Sequence, residues 1–458
     1  MSIITPLLIS TLMACGPKQA PESAVAQAES TPMVHIPFEK YTLDNGLEVI
    51  LSEDHSVPFV QVNLWYNVGS KDEEPGRTGF AHLFEHLMFQ GSEHLDSEYF
   101  LPLQPIGAQI NGTTSFDRTN YFEGVPSEYL PMALWLESDR MGYLLPALNE
   151  KKLLNQKDVV RNERRQRYEI RPYGEVWPWL FENLYPEGHP YHIPTIGKHE
   201  DIENATMEDV VNFFKVWYVP NNATLTICGD FEPAQAKQLV ERYFGPIPKG
   251  EEPSPLVNVE PTPLAAEKVV RKEDPLAPHP KVWIAWQTPK AMAEGDAELD
   301  ILSSLLSDGK DSLLVRELVT KQQLAKDVSA YQYSARLNGQ YFIEATAAEG
   351  RTTDELVAAI DALLAVQLEQ LPDADKIEVI KLNWEKRFYQ SLQSISRKAD
   401  TLSSYNTTMG DPNYIQADLD RYLQVSPDSL QAAAQKYLTD KRVVLHVTPK
   451  AKPAESAE

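Results

Sequence analysis

Two histidines four residues apart, His82 and His86, flank a glutamate in the run His82-Leu83-Phe84-Glu85-His86. On a helix, residues at that spacing stand one above the other on the same face, so both imidazoles can converge on one ion. Zinc accepts nitrogen and carboxylate oxygen, and its catalytic sites keep one position open for water. Glu85 precedes His86 by one residue and so leaves the line of the ligands. It can instead take a proton from water, the task of a general base. The bland alternative is a solvated helix carrying two surface histidines. Leu83, Phe84, Leu87, Met88 and Phe89 argue against it. They make the helix apolar almost all round, hence buried, and buried ionisable groups need partners.

A helix over residues 80–89 is therefore the element that must present this chemistry, and its neighbours can be read from pattern. Ahead of it lies a hairpin, residues 41–44 and 47–51 around the turn dipeptide Asn45-Gly46, then a strand at 60–68 and a charged, glycine-bearing loop at 69–79. Behind it come extended runs at 108–114 and 120–125. Helices follow at 131–143 and 149–168, where apolar residues recur at three and four spacing. Between positions 246 and 263, Pro246, Pro248, Pro253, Pro255, Pro261 and Pro263 stand among polar residues without helical or strand period, which marks an interdomain linker. A faint repeat lies on either side: residues 209–227 and 428–445 both read as a helix, a Tyr and a strand. Asp209 and Asp428, Val211 and Leu430, Tyr218 and Tyr437, and Leu225 and Val444 are each 219 apart. Residues 282–286 are expected to open the second copy. The fold class is α+β, with two homologous domains, each a mostly antiparallel sheet packed with helices. They are expected at 38–248, the catalytic zinc-binding one, and 266–450, joined by a Pro-rich linker at 249–265, with a disordered tail at 451–458.

Bulk properties narrow the function. A chain of 458 residues has length for two domains. Its 42 basic against 66 acidic side chains give a net charge of −24, which opposes phosphate contacts and excludes nucleic acid as a partner. Of the two cysteines, Cys15 and Cys228, the latter falls in an apolar run that reads as a buried strand, so a disulfide between them is not expected. Residues 3–13 are apolar but too short to span a bilayer, and they end in Leu12-Met13-Ala14-Cys15. That tetrapeptide resembles a bacterial lipobox, although Met13 is large for its place and no Lys or Arg precedes Lys18. The resemblance implies a signal segment at 1–15 and lipidation of Cys15, while residues 16–37, rich in Ala, Glu, Ser, Gln and Pro with little to bury, read as a flexible tether. The resemblance also implies membrane attachment by a lipid anchor, facing the periplasm in the envelope of a bacterium.

From about residue 40 onward the chain resembles the pitrilysin-type inverzincins, the family of pitrilysin, insulin-degrading enzyme and mitochondrial processing peptidase, whose signature is the order His-x-x-Glu-His. Besides residues 82–86, the segment Asn111-Gly-Thr-Thr-Ser-Phe-Asp117-Arg-Thr119-Asn-Tyr121, His189-Pro-Tyr-His192, Ile196-Gly197 and Tyr218-Val-Pro220-Asn221 carry the likeness. The resemblance implies a Zn2+ cofactor and a third ligand on another helix, 75 to 80 residues after the second histidine; Glu163, at 77, is the match. A further acid seven residues earlier is replaced here by Gln156. It also implies an edge strand, with Asn111 and Gly112 facing the scissile region, to which an extended peptide substrate adds as another strand. Relatives carry an Arg and a Tyr in the second half that stabilise the oxyanion. Leu313 and Lys326 stand at those places unless the register shifts to Arg316 or Tyr331. The expected function is a zinc-dependent endopeptidase acting on peptides or unfolded segments, as the metal-bearing subunit of a two-chain peptidase whose partner, of the same family, supplies the Arg and Tyr. A homodimer is the other assembly, and a non-catalytic assembly or peptide-binding protein retaining the fold is the alternative function.

Overall fold

A computed structural model describes residues 34–253, 259, 262–370 and 373–450. Cys15, most of the tether, part of the linker and residues 451–458 lie outside that description.

Alternation builds the first sheet. Its strands are β1 (Glu39–Thr42), β2 (Glu48–Glu53), β3 (Phe59–Tyr66), β4 (Gln109–Thr114), β5 (Thr119–Pro126) and β6 (Ala223–Gly229). On β3, Val60, Val62, Leu64 and Tyr66 enter the core, and the residues between them face the other way. The expected hairpin forms β1 and β2, with Thr42 opposite Glu48 and Gly46 at φ +89° in the turn. The lateral order is β1-β2-β6-β3-β5-β4. Only β2 and β6 run parallel. Among the described residues β4 pairs with β5 alone and leaves its outer edge open.

Three helices on the core face of this sheet matter for chemistry: α1 (Phe80–Leu87), α2 (Leu130–Ala147) and α3 (Glu150–Arg164). α2 is longer than its pattern suggested, and it kinks at Tyr143, whose φ/ψ is −133°/22°. α3 begins at Asn149, whose side chain accepts from the Lys152 N–H, and passes at Arg165 into a π-helical turn over Arg165–Glu169. A uniform helix to 168 was expected. The wider turn starts where apolar spacing gives way to the charged run 163–167.

The second sheet repeats the first. Its strands are β7 (Lys268–Asp274), β8 (Lys281–Thr288), β9 (Ala325–Tyr333), β10 (Gly339–Ala347) and β11 (Val443–Pro449), in the order β7-β11-β8-β10-β9. β7 and β11 run parallel and the other pairs antiparallel, as for their counterparts. The strand at 281–288 is thus not the first of this copy; β7 precedes it. β7 is an edge strand, mostly exposed and rich in charge, so no buried alternation announces it.

The offset of 219 extends to a pair of helices that start at Val176 and Ile395. Each lies on the other half's sheet. Val176–Leu184 buries Val176, Leu180, Phe181 and Leu184 in a cluster with Trp283, Phe342 and Leu445. Ile395–Met409 crosses β6 and β3, where Ser403 hydrogen-bonds Thr226 at 2.9 Å. From there Asn406 donates to Glu48 at 2.6 Å and to Thr224 at 3.0 Å.

Candidate metal centre

α1 is only eight residues long, so its position depends on what grips its ends and sides. Phe80, Leu83, Phe84 and Leu87 are buried, and Phe84 lies 5.0 Å from the Tyr218 ring and 5.1 Å from that of Phe213. Its cap residue, Gly79, sits at φ +87° and has no side chain to satisfy the first N–H groups. Glu73 does this instead. One carboxylate oxygen accepts from the Gly79 N–H and the other from the Ala81 N–H, both at 2.9 Å.

Held in this way, His82 and His86 face one another with ring centroids 4.8 Å apart. α3 packs beside α1 and brings Glu163 to them: its Oε2 is 3.1 Å from His86 Nε2 and 3.7 Å from His82 Nε2. All three donor atoms lie within 4.8 Å of one another, and among the described residues no other group of three such side chains meets this test. The set fits zinc in chemistry and in size. Donors about 2.0–2.2 Å from one ion at tetrahedral angles stand roughly 3.4 Å apart, which the two Glu163 distances bracket. Burial, and next the neighbouring His86, push the His82 imidazole down to about 4, so at neutral pH it carries the lone pair a metal needs. Burial works against ionised Glu163, but the His86 hydrogen bond and the neighbouring His82 and Arg167 side chains outweigh it and hold the carboxyl below its ordinary value. Arg167, on the π-helical turn, grips Glu163 Oε1 at 2.8 Å and leaves Oε2 to the histidines.

Glu85 stands on the neighbouring side of α1. Its Oε2 accepts the Thr114 hydroxyl of β4 at 2.5 Å. Burial raises the Glu85 carboxyl above its ordinary value, and the Thr114 hydrogen bond opposes that rise. Gly112, two residues earlier on the same strand face, makes the approach possible. A Cβ there would lie 3.0 Å from Glu85 Cγ and 3.2 Å from the Phe89 ring. Asn111 is exposed on the opposite face of the strand, and its side chain accepts from the Gly112 N–H at 2.9 Å. Gln156 is buried two turns before Glu163, and His82 Nδ1 is buried and has no hydrogen-bond partner among the described residues.

The second-half residues weighed for oxyanion binding have other contacts. Leu313 packs against the second core, and Lys326 Nζ lies 2.7 Å from His279 Nε2. Arg316 pairs with Glu317 at 2.9 Å, and the Tyr331 ring tilts against Phe342 at 5.4 Å. His189 stacks on Tyr185 at 4.3 Å, and His192 meets the Tyr185 carbonyl at 2.9 Å, so both serve the fold. Sequence reasoning missed Glu73, Thr114 and Arg167. Thr114 was accessible through strand alternation and Arg167 through its i,i+4 spacing from Glu163. Glu73 had no local signal, since it caps a helix from six residues outside it.

Comparison with known proteins identifies the family. Residues 48–184 match the family model described as insulinase (peptidase family M16), and residues 204–383 match the one described as the peptidase M16 inactive domain. The zinc protease PqqE of Helicobacter pylori is 31% identical over 422 residues, covering 88% of this chain and 90% of that protein. The mitochondrial-processing peptidase subunit beta of Lentinula edodes is 23% identical, covering 89% of each. A solved protease structure from Helicobacter pylori superposes with a TM-score of 0.84 at 27% identity, covering 90% of this chain and 100% of that one. The pitrilysin-type resemblance is therefore borne out, and the chain belongs to the insulinase family of peptidases, peptidase family M16.

Proposed function

We propose that this chain is a zinc-dependent endopeptidase that hydrolyses peptides or unfolded protein segments. The observation that carries the reading is the approach of two imidazole nitrogens and one carboxylate oxygen beside Glu85, which is itself hydrogen-bonded to the open-edged strand β4. His82, His86 and Glu163 would hold the ion. Zinc bound there would polarise a peptide carbonyl and make water more acidic. Glu85 takes a proton from water and later delivers it to the departing amine nitrogen. Thr114 holds the carboxylate toward the strand along which substrate lies. The open edge of β4 offers backbone N–H and C=O groups, so a peptide can add as a further strand with little demand on its sequence, near Asn111 and Gly112.

The partner is proposed to be a second chain of the same family that supplies the Arg and Tyr, or a second copy of this one. The relative named a processing-peptidase beta subunit supports a two-chain assembly. Lipidation at Cys15, and with it attachment to a bacterial envelope membrane facing the periplasm, is proposed from the lipobox-like tetrapeptide. Among the described residues no helix is long and apolar enough to cross a membrane.

Cleavage of an unstructured peptide by the chain, with bound zinc quantified in the same sample, tests the reading. Glu85→Gln is expected to keep zinc and lose turnover by at least about 100-fold, the usual scale for a general base. Undiminished turnover in that variant would remove Glu85 from the chemistry, and absence of zinc from the parent chain would remove the metal centre.

A further inference from the structure

His82 and Glu163 arrive on different helices, and a segment outside both is fastened to each. Residues 196–205 run along α3 on the side that bears Lys157, Arg161 and Arg164, which are spaced to share one face. All three reach across: Lys157 Nζ donates to the Ala205 carbonyl at 2.9 Å, Arg161 pairs with Glu203 at 3.2 Å, and Arg164 Nε donates to the Gly197 carbonyl at 3.0 Å. Arg164 is the chain neighbour of Glu163.

The same segment is fastened to the entry of α1. Asp201 Oδ2 accepts from the Thr78 backbone N–H at 3.1 Å and its hydroxyl at 2.5 Å, and the Lys198 N–H donates back to that hydroxyl oxygen at 3.0 Å. Gly197, at φ +73°, lies directly on the backbone of Gly79. A Cβ at Gly197 would come within 2.4 Å of the Thr78 carbonyl oxygen and 2.5 Å of Gly79 Cα. A Cβ at Gly79 would come within 2.8 Å of the Ile196 carbonyl oxygen. Thr78 precedes His82 by four residues, so one peptide segment contacts the chain just before the first ligand and the residue just after the third.

We propose that segment 196–205 is a positioning strap that sets the distance of Glu163 from the two histidines, with Arg164 and Asp201 as its fasteners. The proposal rests on the metal-centre reading above and gives the Ile196-Gly197 pair a role beyond marking the fold. Packing of α1 on α3 alone leaves either helix free to slide or roll, whereas a strap bonded to one helix entry and the other helix exit resists both. Partners that orient metal ligands are commonly worth 10–100-fold in affinity.

The test is zinc affinity of the full-length chain by chelator competition, together with the d–d absorption of the Co2+-substituted protein. His82→Ala serves as the reference that loses the site. Arg164→Ala and Asp201→Ala are expected to weaken zinc by about 10–100-fold and to change the Co2+ spectrum. Arg164→Lys and Asp201→Asn, which keep a donor and an acceptor, should recover most of the affinity. Lys157→Ala loosens only the far end of the strap and controls for general loss of stability. Parent-like affinity and spectrum in both alanine variants would overturn the proposal, as would an equal loss in Lys157→Ala. A parent chain that binds no zinc would instead overturn the metal centre itself.

Discussion

Among the described residues Glu85 is held by one hydroxyl, that of Thr114. The Thr114 hydrogen bond to an ionised carboxylate in a half-buried setting is of the charge-assisted kind, worth about 1.5–3 kcal/mol. Thr114→Val preserves shape and strand preference while removing the donor, so kcat is expected to fall by roughly 10-fold or more with zinc content unchanged. Equal kcat in the two proteins would show that Glu85 finds its orientation elsewhere. Position 300 is where the helix Asp296–Ser307 of the second half stands in the place that α1 has in the first, and this helix carries no histidine. Gly295 caps it at φ +95°, as Gly79 caps α1. Burial lifts the Asp300 carboxyl to about 7, although the Tyr422 hydroxyl donates to it at 2.8 Å. Its folded value thus lies above its unfolded one, so the carboxyl weakens folding progressively as pH rises from about 4 to about 7. Asp300→Asn is expected to stabilise the protein by on the order of 1–3 kcal/mol at pH 8 and hardly at all at pH 4. Urea unfolding at the two pH values checks this.

Elements differ in how visibly they announce themselves. α1 was legible because its ligands and apolar residues share one short run, and α3 because its apolar spacing is regular. β4 was recognisable as extended, but only pairing shows that its outer edge is open and that Gly112 and Thr114 turn toward Glu85. The two exchanged helices show opposite solutions to covering a sheet. Val176–Leu184 is docked by apolar side chains, including Leu180 and Leu184, against Trp283 and Phe342. Ile395–Met409 covers a face of the first sheet that presents Asn63, Thr224 and Thr226, and the contacts of Ser403 and Asn406 there are hydrogen bonds. Buried polar groups of this kind cost free energy when their partners leave, so this interface is specific without being strongly apolar.

Across the molecule the exchange ties the halves together, since each sheet relies for one face on a helix from the other half of the chain. Further bonds reinforce the tie: the Arg336 N–H donates to Asp117 at 2.9 Å, and Lys398 pairs with Asp54. Neither half can unfold without exposing the face of a sheet in the other. Unfolding in urea, followed by tryptophan fluorescence and by circular dichroism, is accordingly expected to give one coincident transition. Two separated transitions would show that the halves are stable independently. Leu180→Ala, at a fully buried position of the lent helix, should move the whole transition by about 2–5 kcal/mol.

Residue type and spacing along the chain were enough to reveal the histidine pair, the base between them, most strands and the duplication, because each depends on neighbours within a few residues or on a period that repetition preserves. The choice of Glu163 needed family likeness, since a separation of 77 positions from His86 carries no local constraint. Tertiary structure alone decided which face of β4 meets Glu85, how Glu73 closes the helix entry, where β7 pairs and which half each covering helix serves. Those outcomes are contacts between segments distant in sequence, chosen by which surfaces can be buried and which hydrogen bonds satisfied together, and no local pattern encodes that joint condition.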